Sequence, residues 1–337
     1  MNKKILVILF FILASCIYGE EIGEVEKILN SQQRGVRLTE DLINICTNQL
    51  LIKACIKAIE LNPNNTTAYW LLCVGYYGRK EYDLAIKYLS KIIELEPQNA
   101  MWYYHNRGLC YQKKKDYDKA IKDYTKAIEI SPSFAYGYFA LGNVYEEKKD
   151  YDKAIEYYTK AIEFDVNFTQ AYIFRGNVYL KKGDYEQAKN DYSSAIGIEP
   201  NCYLYLLRGQ IYDTKGEYTK AINDYSEAIK LNPEFKEAYL ARGETYIRLG
   251  DHHKALDDFN EVIDLDPKNP YAYFSRGLIY GNLDLPIAAC DDLYQAGILF
   301  LKQNDKKRAL LCVDTMKKTD SSSPLIKKLM NKIYEQK

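Results

Sequence analysis

The chain has 337 residues, more than one compact hydrophobic core accommodates, so a modular build is expected. Lysine plus arginine and aspartate plus glutamate stand at 46 each, which removes the basic excess that binding to nucleic acid requires. Only 18 glycines and 9 prolines argue against disorder, and tyrosine, at 33 residues, is the outlier that needs an explanation.

The chain opens on a basic pair, Lys3 and Lys4, followed by an unbroken apolar run from Ile5 to Leu13. That is the layout of a secretory signal, and the run is shorter than the ~20 apolar residues a spanning helix needs. Leu13-Ala14-Ser15-Cys16 then resembles the bacterial lipobox, in which the signal is cut before a cysteine that carries lipid. The resemblance implies a signal peptide over 1–15, lipidation of Cys16, and an exported protein anchored to a membrane of the cell envelope. Ordinary cleavage a few residues later, giving a secreted or periplasmic protein, fits the same small residues, and so does an uncleaved anchor. Residues 16–48 are expected to be an N-terminal segment whose one helix, near Leu38 to Cys46, has degenerated. Beyond Cys16 seven cysteines remain, an odd number with no CxxC pair. Cys55, Cys73, Cys110 and Cys290 fall on apolar or small helical positions, so they read as buried thiols and neither a full disulfide framework nor a zinc site, while an exported location leaves a single disulfide open.

From there the sequence is periodic. Glycine followed three residues later by tyrosine recurs at Gly108/Tyr111, Gly142/Tyr145, Gly176/Tyr179, Gly209/Tyr212, Gly243/Tyr246 and Gly277/Tyr280, at spacings of 34, 34, 33, 34 and 34. With that glycine numbered position 8, positions 4 and 11 are tyrosine and position 20 is alanine in all seven repeats of 66–303. An acidic residue and a tyrosine at positions 16 and 17, as in Asp184-Tyr185, mark the start of a second helix. Asn232-Pro233 or Asp266-Pro267 stop it. A half repeat over 49–65 precedes the array, and helices over Lys306–Lys318 and Pro324–Glu335 are expected to cap it within 304–337.

This pattern resembles the tetratricopeptide repeat (TPR) family, which implies an all-α, right-handed TPR solenoid of helix-turn-helix repeats. In each repeat helix A would present positions 4, 8 and 11 on one face, and helix B positions 20, 24 and 27. The small residues at positions 8 and 20 predict a close approach of the two helix backbones at that level. No hairpin buries its apolar face alone, so neighbours must stack into one continuous core. Positions 4, 11, 17 and 24 account for 23 of the 33 tyrosines, which assigns the excess mostly to the core rather than to an aromatic ligand platform.

Arginine at position 7 occurs in five repeats, as Arg107, Arg175, Arg208, Arg242 and Arg276, and the same five carry aspartate at position 23: Asp123, Asp191, Asp224, Asp258 and Asp292. The two repeats without the arginine have Leu72 and Leu141 there, with Tyr88 and Tyr157 at position 23. Pairing within a repeat has no exception, whereas pairing with either neighbouring repeat leaves Arg107 opposite a tyrosine. A hairpin that turns near position 15 also brings positions 7 and 23 together, so a bidentate ion pair between helices A and B is expected. Two repeat subtypes related by duplication would show the same correlation without contact.

No P-loop, HExxH or nucleophile with a recognisable base is present, and no metal or cofactor site is expected. His252-His253 reads as turn surface, because adjacent helical residues point apart. A binding role fits better, with a protein or peptide as partner and no nucleic acid. The resemblance implies a concave groove lined by helix A at positions 2, 5, 9 and 12. Position 2 carries Trp102, Tyr136, Tyr203 and Tyr271; position 5 carries Trp70, Phe139, Ile173, Leu206, Leu240 and Phe274 beside His105; position 9 offers Asn143, Asn177, Gln210 and Glu244. The chaperone-tail clamp of this family needs lysine at position 5, which never occurs here, so an acidic C-terminal tail is not the expected ligand. An envelope scaffold or assembly factor holding an extended partner segment is the leading expectation. A carrier or sensor of polysaccharide or another small ligand, using groove aromatics, is the alternative.

Overall fold

The structure is a computed structural model that describes residues 46–47 and 49–335; the signal segment, Cys16 and nearly all of the degenerate helix lie outside the described residues. Among the described residues seventeen α-helices alternate with short turns and there is no strand. They fall into two compact units, divided between Val178 and Tyr179.

The first unit contains α1 (Gln49–Leu61), α2 (Thr66–Gly78), α3 (Tyr82–Leu95), α4 (Met101–Lys113), α5 (Tyr117–Ile130), α6 (Ala135–Glu147), α7 (Tyr151–Phe164) and the first part of α8 (Thr169–Lys182). The second contains the remainder of α8, then α9 (Tyr185–Ile198), α10 (Cys202–Thr214), α11 (Tyr218–Leu231), α12 (Lys236–Arg248) and α13 (His252–Leu265). It closes with α14 (Pro270–Asn282), α15 (Pro286–Lys302), α16 (Lys306–Thr319) and α17 (Pro324–Glu335). None of these helices is long and apolar enough to cross a membrane.

Each hairpin is built by the same local rules. Helix A ends at position 15 in the left-handed region, at Lys80, Lys115, Lys149, Gly183, Gly216, Gly250 and Asp284. The N–H of the next residue then closes back on the position-11 carbonyl, as Asp116 to Tyr111 at 2.9 Å and Asp251 to Tyr246 at 2.9 Å. Helix B starts on a capping carboxylate: Asp116, Asp150, Asp184 and Asp251 each accept the backbone N–H three residues on. Its end is set by the extended backbone of Ser131, Asp165, Glu199 and Asn232, which stops the hydrogen-bond ladder.

The core runs between the helices. In the first unit it is assembled from Leu72, Val74, Leu89 and Ile92, then Tyr124, Leu141 and Val144, then Tyr158 and Val178. In the second, Tyr225 and Phe259 fill the same place, and Leu293, Phe300, Met316, Leu329 and Ile333 bring α15, α16 and α17 together. Tyrosine divides by position: those at 24 (Tyr124, Tyr158, Tyr192, Tyr225) are fully buried, but those at 4 and 11 are mostly half-buried. The half-buried rings carry cations on their faces, for example Lys153 over Tyr145 at 5.0 Å and Lys254 over Tyr246 at 5.4 Å. The tyrosine excess is thus only partly core; much of it forms amphipathic rims.

In the repeat of α14 and α15 a Cβ on Gly277 would stand 3.2 Å from the backbone oxygen of the position-20 alanine, Ala289, but at Gly108, Gly142, Gly209 and Gly243 the position-8 glycine faces helix B further along. Its neighbour is the position-24 ring: a Cβ on Gly108 would stand 2.7 Å from Tyr124 Cε1, and one on Gly142 would stand 2.5 Å from Tyr158 Cδ1. Cys46, Cys73, Cys110 and Cys312 are buried thiols, and burial pushes Cys46, Cys110 and Cys312 up to about 12.

Candidate partner-binding site

The residues expected on the helix-A face of the first unit form a connected ladder of rings. Trp102 of α4 meets Phe134 edge-on at 4.7 Å, with Tyr136 of α6 at 5.9 Å. Tyr136 meets Phe168 at 4.8 Å, and Phe139, one helical turn on, meets Phe168 at 5.0 Å and Phe174 of α8 at 5.2 Å. Centroid separations of this size and the tilted or edge-on geometries are those in which aromatic quadrupoles attract. Trp102, Tyr136 and Phe139 are half-buried and Phe174 is 37 % exposed, so each rung is held from below and open above.

Polar groups edge the ladder. Asn143 accepts the Tyr158 hydroxyl at 2.7 Å, and Tyr158 also reaches Glu146 at 2.7 Å. Ile173 and Asn177, on α8, are half-buried. At the other end His105 is enclosed by Trp102 at 5.7 Å, Phe134 at 5.6 Å and Tyr124 at 5.5 Å, and its Nδ1 is buried without a hydrogen-bond partner. Burial pushes this imidazole down to about 4. The unfolded chain, with an ordinary histidine near 6.5, therefore takes up a proton before the folded one does. Stability from neutral His105 is full above about pH 6.5 and is lost as pH falls toward 4, by up to about 3 kcal/mol. His105→Phe is expected to flatten that part of the profile; an unchanged loss of Tm between pH 6.5 and 4.5 in the variant would refute this role.

Two expected groove residues belong elsewhere. Trp70 is 7 % exposed in the core of α1–α3, with its ring 6.0 Å from Tyr103, and Leu206 is 8 % exposed against Phe235 and Tyr225. At position 5 such side chains fill the gap to neighbouring helices, so Trp70 and Leu206 leave the groove set. In the second unit Tyr203 is 61 % exposed, resting edge-on against Phe235 at 4.7 Å. Tyr271, 43 % exposed, rests on Phe300 at 5.3 Å with the Arg308 guanidinium over it at 5.3 Å. Gln210 and Glu244 are exposed, while Leu240 and Phe274 are half-buried against the α12–α14 and C-terminal clusters. The polar rows of the two units differ accordingly: amides in the first, an amide and a carboxylate in the second.

The sequence reading omits Phe134, Phe168 and Phe174 from this face. A detectable signal exists for the first two, because position 34 is phenylalanine in three repeats, at Phe134, Phe168 and Phe235. Position 34 precedes helix A, and only the turn geometry shows that its ring folds under the position-2 aromatic of the hairpin.

The arginines line no ligand surface. Arg107 donates from Nε and Nη2 to the two carboxylate oxygens of Asp123, both at 2.8 Å, and the same fork joins Arg208 to Asp224, Arg242 to Asp258 and Arg276 to Asp292. These four aspartates are 3–7 % exposed. Each arginine also donates to position 25 of the preceding repeat: Arg107 to Ser90, Arg175 to Thr159, Arg208 to Ser193, Arg242 to Ser226, and Arg276 to Asn260, at 2.6–3.0 Å. Its guanidinium lies over the position-4 tyrosine of its own helix at 5.3–5.7 Å. One side chain thereby joins helix A to helix B and to the previous helix B. In the two repeats without it, Tyr88 and Tyr157 instead stack on the position-11 tyrosines Tyr76 and Tyr145, at 5.7 and 5.3 Å. Asp191 is buried on α9.

Comparison with known proteins agrees with this architecture. A family model described as tetratricopeptide repeat matches residues 102–134, 135–168 and 169–202, and a second, described as TPR repeat, matches 209–250 and 243–284. Together they account for more than half of the chain. Among solved structures, the chain is similar to YrrB, described as a TPR protein with an unusual peptide-binding site, at 28 % identity over 56 % of this chain and 95 % of that one, with a TM-score of 0.49. It is similar to MamA at 26 % identity over 49 % of this chain and 96 % of that one, with a TM-score of 0.47. The C-terminal part of a TPR repeat-containing protein from Cytophaga hutchinsonii matches at 19 % identity, covering 76 % and 97 % of the two chains with a TM-score of 0.53, a likeness of fold.

Proposed function

Because this chain belongs to the tetratricopeptide repeat family, we propose that it is a non-enzymatic scaffold or assembly factor holding a partner polypeptide on the helix-A face of its first unit. The observation that carries this reading is the ladder of half-open rings from Trp102 to Phe174. Rings braced from below give a partner apolar area without costing much side-chain entropy, which suits them as anchors. Asn143, whose carbonyl oxygen is taken by Tyr158, keeps amide N–H groups that an extended backbone's carbonyl would accept.

The second element of the reading is location. Lys3, Lys4, the apolar run Ile5–Leu13 and the small residues before Cys16 suit export and lipid attachment, so lipid on Cys16 would tether the protein to a bacterial envelope membrane. Crosslinking in envelopes followed by mass spectrometry tests both parts. Trp102→Ala and Asn143→Ala are expected to lower recovery of one protein partner about tenfold, as loss of a central anchor does, at a temperature where circular dichroism shows each variant folded. Undiminished recovery in both, and in Phe139→Ala, overturns the groove. Cys16→Ala is expected to release the chain from membranes, and retention refutes the lipid tether. The exposed ring of Tyr203 favours a second reading, a polysaccharide carrier, which recovery of a protease-resistant glycan in place of a protein would support.

A further inference from the structure

The last hairpin breaks the rule that its predecessors follow. Elsewhere the turn between helices A and B is charged, as in Lys115-Asp116-Tyr117-Asp118 and Lys149-Asp150-Tyr151-Asp152. Between α14 and α15 it reads Leu283-Asp284-Leu285-Pro286-Ile287. Leu283 is 36 % exposed, Leu285 48 % and Ile287 78 %. Leu285 occupies the place of the capping aspartate and makes no side-chain cap, so α15 forgoes an interaction that α5, α7 and α13 have. Three apolar side chains are thus presented to solvent, and α15 starts on Pro286 without a side-chain cap.

What surrounds this turn has a definite charge. The end of α14 lies against the end of α16: Thr319 Oγ1 is 3.4 Å from where a Cβ on Gly281 would stand. Helices α15, α16 and α17 pack together through Leu293, Met316 and Leu329. The turn therefore shares one end of the C-terminal helices with Lys317 and Lys318 in the last turn of α16 and Lys327 in the first turn of α17, all exposed. Residues 306–335 carry eight basic side chains against three acidic ones in a chain that is neutral as a whole. Asp284 in the turn and Asp320 at the end of α16 offset part of this charge, but an exposed apolar tip at the same end as Lys317, Lys318 and Lys327 matches an anionic lipid surface, where leucine and isoleucine enter the headgroup boundary and lysines remain among the phosphates.

We propose that the 283–287 turn and the basic ends of α16 and α17 form a peripheral contact with an anionic membrane, independent of any lipid on Cys16. The test uses the full chain with Ile287→Trp, compared with the wild type so that Trp70, Trp102 and the N-terminal segment cancel. In vesicles of phosphatidylcholine with phosphatidylglycerol, the introduced indole is expected to shift to the blue and to be quenched roughly twofold by brominated acyl chains. Lys317→Glu with Lys318→Glu in the same background is expected to weaken vesicle affinity at least roughly tenfold. Absence of quenching with anionic vesicles overturns the proposal, and so does equal quenching with phosphatidylcholine alone. A blue shift that grows with protein concentration without vesicles also overturns it, by showing that a second copy covers the turn.

Discussion

Arg208→Ala is expected to destabilise the second unit by about 3–5 kcal/mol, while Arg208→Leu combined with Asp224→Tyr is expected to cost only about 1 kcal/mol. The single change leaves Asp224, 6 % exposed, buried without the guanidinium that donates to both its oxygens at 2.8 and 2.7 Å. It also removes the bond to Ser193 at 3.0 Å and the cation over Tyr205 at 5.5 Å. The double change copies the arrangement of Leu141 and Tyr157, whose ring stacks on Tyr145 at an interplanar angle of 7°. In the altered repeat Tyr212 holds the place of Tyr145, so a stacking partner is waiting. What the swap does not restore is the hydrogen bond to the preceding helix B, hence the residual cost. A urea-melt double-mutant cycle decides the matter. If the double variant is as unstable as the sum of Arg208→Ala and Asp224→Ala, then the arginine and aspartate are not exchangeable for the leucine and tyrosine.

The second large effect is expected at Gly142. Alanine at an exposed mid-helix site normally stabilises relative to glycine by about 0.5–1 kcal/mol, and Gly197→Ala, in the last turn of α9 with nothing within 4 Å of its would-be Cβ, should stabilise by a smaller amount. Gly142→Ala is expected to do the opposite, losing about 1–3 kcal/mol. Its Cβ would lie 2.5 Å from Tyr158 Cδ1 and Cε1, and that ring has little freedom to yield. The hydroxyl is held by Asn143 and Glu146, both at 2.7 Å, and the ring face packs on Phe139 at 5.6 Å. Displacing Tyr158 also moves Phe139 and Asn143, so Gly142→Ala should impair partner capture as well as stability. Stabilisation of both glycine variants alike would show that Tyr158 relaxes freely.

The link between Gly142 and Tyr158 shows how far one-dimensional reading reaches. Glycine at position 8 announces a close approach, but at Gly142 it is the ring four residues beyond the alanine in helix B that requires it. Position 8 is Cys73 in the repeat whose position 24 is Leu89, but it stays glycine, Gly277, in the repeat whose position 24 is Leu293, where a Cβ would stand 3.2 Å from the Ala289 carbonyl oxygen. Arg208 illustrates the converse case. Its covariation with aspartate is legible because both vary together among repeats, whereas its bond to Ser193 leaves no such mark. Position 25 is a small polar residue in most repeats, so it carries no contrast.

By itself the sequence determined the period, the alternation of helices, the turn at position 15 and the arginine–aspartate pairing, because each depends on local backbone rules or on contrasts repeated along the chain. Only the tertiary structure decided which aromatics are core and which are open, since Trp70 and Phe139 occupy the same repeat position yet one is buried and the other forms a half-open rung. It also decided that Phe134 and Phe168 support the ladder, and that the end of α14 lies against the end of α16. The reason is physical: exposure and side-chain neighbours are set by what packs from other hairpins, and a 34-residue period, being the same in each, does not record how adjacent hairpins differ.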